Sequence, residues 1–335
     1  MNLQQKSLRL GTAMILCAIV LRLISAGAPA ALVQALSDPR ALAFMLYLET
    51  GQVVRPLPPE PEAQPTEPVE TTEATVSTEP EEIPPALPVF SQQDAALVEI
   101  KSVCGYDTDL SGWLSQPLNW DLTADAPAVL IVHSHGTESY KNTENYKETS
   151  AFRTKDNSYN MVSVGEALAN VLEQGGIGVI HDKTLHDAAS FTGAYGSARK
   201  SIKQYLAEYP SIRMVLDLHR DAVDGDKQPA FSLQVGDIKT ARLMLVVGTD
   251  ANGLKHPNWE ANMAWAVKLQ AFLEKQYPGL CRPISFRKQR FNQDLTTGSL
   301  IVEVGAAGNT RQQALEAVRL LGDAIIALSR GAEIS

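Results

Sequence analysis

Three short apolar runs in this 335-residue chain carry side chains that a buried strand does not need. Residues 128–132 (AVLIV) lead into His133-Ser134-His135-Gly136-Thr137-Glu138. Residues 214–218 (MVLDL) lead into His219-Arg220-Asp221. Residues 300–304 (LIVEV) hold Glu303 in their midst. Neutral imidazole binds zinc well, a carboxylate can complete the set, and a catalytic zinc keeps three protein ligands with a fourth position open for water. His135, Glu138 and His219 can supply those three ligands, and Glu303 can serve as general base beside the water. A single histidine at a strand end is usually a satisfied structural residue, so the combination carries the weight. Glu303 is the most telling member, because an unpaired carboxylate inside an apolar strand is costly. It either pairs with an interior Arg or Lys or faces a metal.

The six histidines include two more that follow an apolar run, in His181-Asp182 and His186-Asp187. His186 and Asp187 read as groups that orient ligands or position substrate, or as ordinary loop polarity. Arg220, next to His219, or a backbone N–H is the expected donor to an oxyanion. Other chemistries find no support. There is no GxxxxGK[ST] or GxGxxG phosphate loop and no GxSxG elbow. No CxxC spacing exists for a thiolate zinc site. Cys104 and Cys281 could pair if the domain lies outside the cell, but sequence alone cannot join them.

The elements that must hold these residues alternate in type. Strand-like runs at 128–132, 178–180, 214–218, 243–247 and 300–304 are interleaved with helical patterns at 162–174, 198–209, 259–276 and 310–329. That alternation predicts a single three-layer α/β domain with a largely parallel central sheet flanked by helices. Sites in such sheets collect beyond the carboxyl ends of strands.

The domain is expected to span residues 97–335, with two segments before it. In residues 1–51, Lys6 and Arg9 precede an apolar stretch, residues 11–36, that is interrupted only by Arg22. A membrane span needs about 20 such residues, and the flanking positive charge directs the N-terminus to the cytoplasmic side. The expectation is a retained single-pass anchor with the domain extracytoplasmic, against a cleaved signal peptide near Ser25-Ala26-Gly27-Ala28. Residues 52–96 hold ten of the 19 prolines and eight glutamates without Lys or Arg after Arg55. Such a stretch cannot bury enough apolar surface to order itself and is stiffened by proline and like charge, as a disordered spacer would be. The net charge of −9 is concentrated there; the remainder is near neutral. The basic face of a nucleic-acid binder is absent.

Five segments in order resemble the stage II sporulation protein P family: VLIVHSHGTESY (129–140), GIGVIHDKTLHD (176–187), MVLDLHRDA (214–222), LMLVVGTDANGLKHPNWEAN (243–262) and FNQDLTTGSLIVEVGAAGNT (291–310). The resemblance covers roughly residues 97–330, and the anchor and spacer suit that family's layout. It implies a zinc-dependent N-acetylmuramoyl-L-alanine amidase fold, hydrolysis of the amide joining stem peptide to glycan, and endopeptidase cleavage of stem cross-links as a further capability. It also implies a setting at the septum during sporulation engulfment, beside a lytic transglycosylase and a polytopic membrane protein. By position, His135 and His219 match the metal histidines and Glu303 the catalytic glutamate. Glu138 is the natural third ligand, and His133 competes with it, since His133 and His135 would share a face if the strand continued through them. Two other readings use the same residues differently: a non-catalytic peptidoglycan-binding or scaffolding module, and a zinc carboxypeptidase acting on stem peptides.

Overall fold

The computed structural model describes residues 90–116, 122, 126–141, 151–222 and 228–330. The expected anchor and all but the last residues of the expected spacer lie outside them. Among the described residues, no helix is long and apolar enough to cross a membrane. Residues ahead of 97 also pack into the fold: Phe90 and Asp94 are buried, and a 3-10 turn spans Gln92–Leu97.

The strands are β1 (Ile100–Ser102), β2 (Val129–Val132), β3 (Val179–His181), β4 (Met214–Asp221), β5 (Ser232–Val235), β6 (Ile238–Ala241), β7 (Leu243–Val247), β8 (Ile284–Phe286) and β9 (Ser299–Ala306). The helices are α1 (Leu110–Ser115), α2 (Met161–Gln174), α3 (Ala194–Glu208), α4 (Trp259–Gln276) and α5 (Arg311–Ser329). Seven strands form one sheet in the order β1-β8-β7-β9-β4-β2-β3; β5 and β6 form a separate antiparallel hairpin. Every neighbour pair in the large sheet is parallel except β7–β9. The expected mostly parallel α/β sheet is therefore present, made of two parallel blocks joined by one antiparallel seam.

The helices are distributed unevenly. Apolar residues of α2, α4 and α5, such as Leu168, Leu269 and Leu321, join Leu216, Leu218, Val302 and Val304 in the main core. On the opposite face a smaller cluster joins Leu130, Val132 and Val215 to Ile202 of α3. Helix α4 is buried along most of its length, Asn262, Lys268 and Gln270 included. Its burial owes more to tertiary packing than to an amphipathic stripe. Local signals begin the others. Asn160 caps α2 by accepting from the Val162 N–H at 3.0 Å. Thr310 and Gln313 form a capping box at α5. Helix α3 starts at Ala194, four residues before the periodicity predicts, because it tolerates Gly196 in its first turn.

Candidate active site

Strand β4 runs between β2 and β9, parallel to both. Alternation along it sends Val215, Asp217 and His219 to the α3 face and Leu216, Leu218 and Arg220 to the main-core face. On β9, Ile301 and Glu303 share the α3 face, and Glu303 is the register partner of His219. The register shifts immediately afterwards, between His219 and Asp221. Gly305 takes a positive φ of 65° there, where a Cβ would meet Asn309 Oδ1 at 2.6 Å. A bulge beside a functional strand end is a usual way to aim a side chain and stop the pairing.

His135 is supplied by the turn after β2, and its ring lies edge-on to that of His219, with centroids 5.4 Å apart. Glu138 Oε2 is 3.6 Å from His219 Nδ1. The four residues expected to carry the chemistry are thus gathered on one side of the sheet, His135 and Glu138 beyond the carboxyl end of β2 and His219 and Glu303 within β4 and β9. His133 is not among them. The chain turns after Val132 instead of continuing as a strand, and His133 lies against α2. Its Nε2 is 2.9 Å from His181 Nε2, and its Nδ1 is 3.2 Å from the Leu218 carbonyl. His181 in turn meets Glu166 at 3.1 Å.

The surrounding charges are distinctive. Burial pulls the His219 imidazole down, but the carboxylates of Asp217 and Glu138 outweigh it and hold the ring well above its ordinary value. Burial would raise Glu138, but His219 and Arg220 override it and bring the carboxyl to about 2. Burial dominates at Glu303 and pushes it up to about 8. His135 is lowered, chiefly by burial.

Three buried atoms here lack a hydrogen-bond partner among the described residues: His135 Nδ1, His219 Nε2 and Glu303 Oε2. His219 Nε2 lies 2.9 Å from Asp217 Oδ1, close enough for attraction but without the alignment of a hydrogen bond. Unsatisfied buried polar atoms are rare and call for an explanation. Two orphaned imidazole nitrogens among carboxylates fit zinc by donor type. Among the described residues, however, no three His, Cys, Asp or Glu side chains form a ready metal-holding group. Glu138, the expected third ligand, is itself engaged: its Oε1 lies 3.3 Å from Arg153 and 3.5 Å from Arg220.

The expected supporting residues have roles different from substrate contact. Arg220 points into the main-core side, where it donates to the carbonyls of Ser139 (3.1 Å) and Phe152 (3.0 Å). It clamps Glu138 and the neighbouring loops. His186 is consumed by Asp182 (3.1 Å) and Ser197 (3.0 Å). Asp187 accepts from the Thr137 N–H and hydroxyl and from Arg153, and stands 3.9 Å from His135 Nδ1. It braces the His135 turn from behind. Cys104 and Cys281 are both free thiols.

Sequence reasoning passed over four residues at this site. Asp217 holds the turn through the Ser134 N–H (2.7 Å) and hydroxyl (2.6 Å); a carboxylate within an apolar run was the available signal, the same one that singled out Glu303. Phe191, which is 55% exposed, stacks on His135 at 4.2 Å, and the Arg153 guanidinium lies over its other side at 4.5 Å. Tyr195 of α3 stands edge-on to His135 and nearly parallel to His219. Arg153, Phe191 and Tyr195 are brought in from separate loops and a helix start, with no motif to announce them.

Comparison with known proteins places these features in context. A family model described as Stage II sporulation protein P matches residues 49–326. The Stage II sporulation protein P of Bacillus subtilis (strain 168) is 27% identical over 256 residues, covering 73% of this chain. The match spans 61% of that relative's own length. Among solved structures, the CwlD amidase from Clostridioides difficile, in complex with the GerS lipoprotein, is similar over 61% of this chain and 95% of its own, at 13% identity and a TM-score of 0.38. The N-acetylmuramoyl-L-alanine amidase AmiC2 of Nostoc punctiforme is similar over 61% and 94%, at 15% identity and a TM-score of 0.34.

Proposed function

The chain belongs to the stage II sporulation protein P family, and from that premise we propose that it is a zinc-dependent peptidoglycan hydrolase. Its reaction is cleavage of the N-acetylmuramoyl-L-alanine amide, with stem-peptide cross-links as a further substrate. The observation that carries this reading is the presence of His135 Nδ1, His219 Nε2 and Glu303 Oε2 on one side of the sheet, all three buried without a hydrogen-bond partner among the described residues. In this reading the domain works outside the cytoplasm on a single-pass anchor in residues 1–51, spaced by residues 52–96. It acts on the septal wall during engulfment, with a lytic transglycosylase and a polytopic membrane protein as partners.

His135, His219 and Glu138 would hold the metal, Glu138 by exchanging Arg153 for it. When bound, zinc supplies Lewis-acid polarisation of a carbonyl and a lowered pKa for water. The protein groups do the rest. Asp217 and Asp187 fix the turn that presents His135. Glu303, whose pKa of about 8 is near the working range of a general acid–base group, takes a proton from the attacking water. It returns that proton to the amide nitrogen as the C–N bond breaks. One carboxylic acid and one amine result from one amide and one water.

The test is product analysis. The full-length chain in detergent is incubated with isolated peptidoglycan, with zinc or with chelator, and soluble fragments are identified by mass spectrometry. Free stem peptides with an intact N-terminal L-alanine, lost on chelation, are expected. Binding to peptidoglycan without release in either condition would replace this reading with that of a non-catalytic binding module. Release of a terminal amino acid alone would replace it with a carboxypeptidase.

A further inference from the structure

Amide hydrolysis at this site needs a hydrogen-bond donor for the carbonyl oxygen, and the expected one is engaged elsewhere. Arg220 faces the main core and spends its guanidinium on Ser139, Phe152 and Glu138. Three N–H groups of the segment after β2 are spent as well. The N–H of Ser134 goes to Asp217, that of Thr137 to Asp187, and that of Glu138 to the His135 carbonyl. The carboxylates of Asp217, Glu138 and Glu303 are acceptors or proton carriers.

Tyr195 differs from all of these. It lies in the first turn of α3, half-buried, with its ring centroid 5.5 Å from that of His135 at 88° and 6.2 Å from that of His219 at 14°. Phe291 packs against it at 5.7 Å, and Asn292 donates to its backbone carbonyl at 2.8 Å, which ties the start of α3 to the loop before β9. The ring is therefore held from several sides. Its hydroxyl makes no hydrogen bond to any described residue.

We propose that the Tyr195 hydroxyl donates a hydrogen bond to the carbonyl oxygen of the scissile amide as negative charge develops there. The inference rests on the amidase reading of the site. Water adds to the carbonyl carbon, the C=O π electrons move onto oxygen, and Tyr195 keeps its proton while donating to that oxygen. The pair returns to re-form C=O as the C–N bond breaks and Glu303 protonates the departing amine. A phenol, with an ordinary pKa of about 10, carries its proton at neutral pH and can donate it in a hydrogen bond. A fixed, uncharged donor with no competing partner is the type of group that stabilises an oxyanion without reorganising.

Tyr195→Phe keeps the ring packing and removes the hydroxyl alone. In the full-length, zinc-loaded protein, kcat on peptidoglycan is expected to fall about a hundredfold or more, the loss typical of removing one oxyanion donor. KM should stay within roughly threefold, since a donor used only in the transition state leaves ground-state binding nearly unchanged. Zinc content and the urea midpoint should match the wild type. Affinity for a phosphinate analogue of the amide should fall in parallel with kcat, which a purely structural role would not produce. An active wild type with a Tyr195→Phe variant of comparable kcat and phosphinate affinity would remove Tyr195 and leave the amidase reading intact. A wild type that releases nothing with zinc present would remove both.

Discussion

His219 and Glu303 stand directly opposite each other on the parallel pair β4–β9, on the sheet face that carries α3. Neighbouring carboxylates raise the pKa of the first well above its ordinary value, and burial raises that of the second to about 8. Two titratable groups in contact with such different environments are what a proton-transfer site requires. The pairing also separates their roles: the carboxylates of Asp217 and Glu138 dominate at His219, and burial dominates at Glu303.

Glu303→Gln follows from that separation. It keeps the shape of the side chain and removes its ability to carry a proton. Turnover should drop by about 10²–10⁴-fold, the range for losing a general acid–base group, while bound zinc measured by elemental analysis stays at the wild-type ratio. Full activity in the variant would remove Glu303 from the reaction.

Arg220 gives a stability prediction. Its side chain is 4% exposed and faces a Glu138 carboxylate that is 7% exposed. Arg220→Ala leaves that carboxylate with less compensation and frees two loop carbonyls. The expected loss is about 3–5 kcal/mol by denaturant unfolding, as for a broken buried ion pair. Arg220→Lys should recover only a fraction, because a lysine cannot reproduce the fork of contacts.

Gly165 sits in α2 where a Cβ would fall 2.5 Å from His133 Nε2 and 2.6 Å from His181 Nε2. Gly165→Ala should cost about 1–3 kcal/mol through overpacking, despite alanine's better helix propensity. Urea midpoints would report it. Combining the change with His181→Ala should recover part of the loss, a non-additivity that marks direct contact. Strict additivity would argue against the clash.

His256 is 1% exposed, and neither of its ring nitrogens finds a hydrogen-bond partner. Burial lowers it to about 4, against the opposing pull of Asp294 and Asp250 and in concert with Arg290. The unfolded chain binds this proton near pH 6.5, the folded one near 4. Its stability contribution is therefore fully present above about pH 6.5 and is lost as pH falls toward 4. Urea midpoints across that window should fall less steeply for His256→Gln than for the wild type. Equal slopes would show that the ring titrates normally in the folded chain.

Much of this arrangement was readable in advance, for identifiable reasons. β7 and α4 fall at the residues the patterns predict, and β4 and β9 extend the predicted runs by a few residues at their ends. Those elements are long or continuously apolar, so period and composition suffice. β1 and β8 were not legible because each has three residues. Their pairing is decided by the sheet they join. The β5–β6 hairpin turns at Gly236, yet Gln234 and Lys239 mask its alternation. At the site, strand-end residues were visible and their angular placement was not. His133 and His135 look alike in sequence, and only the turn after Val132 separates their destinations. Arg220 was expected beside the substrate because it follows His219, although adjacent residues on a strand point to opposite faces.

That same alternation makes β4 intolerant of error. A slip of one residue against β2 and β9 would carry His219 and Asp217 into the main core and swing Arg220 out among the groups opposite α3. The cleft would lose its imidazole and the Glu138 clamp its arginine in one step, with two buried charges stranded among aliphatic side chains. Release of stem peptide by a refolded sample would accordingly serve as a stringent assay of strand alignment, reporting the fraction of molecules in correct register more sharply than secondary-structure content does.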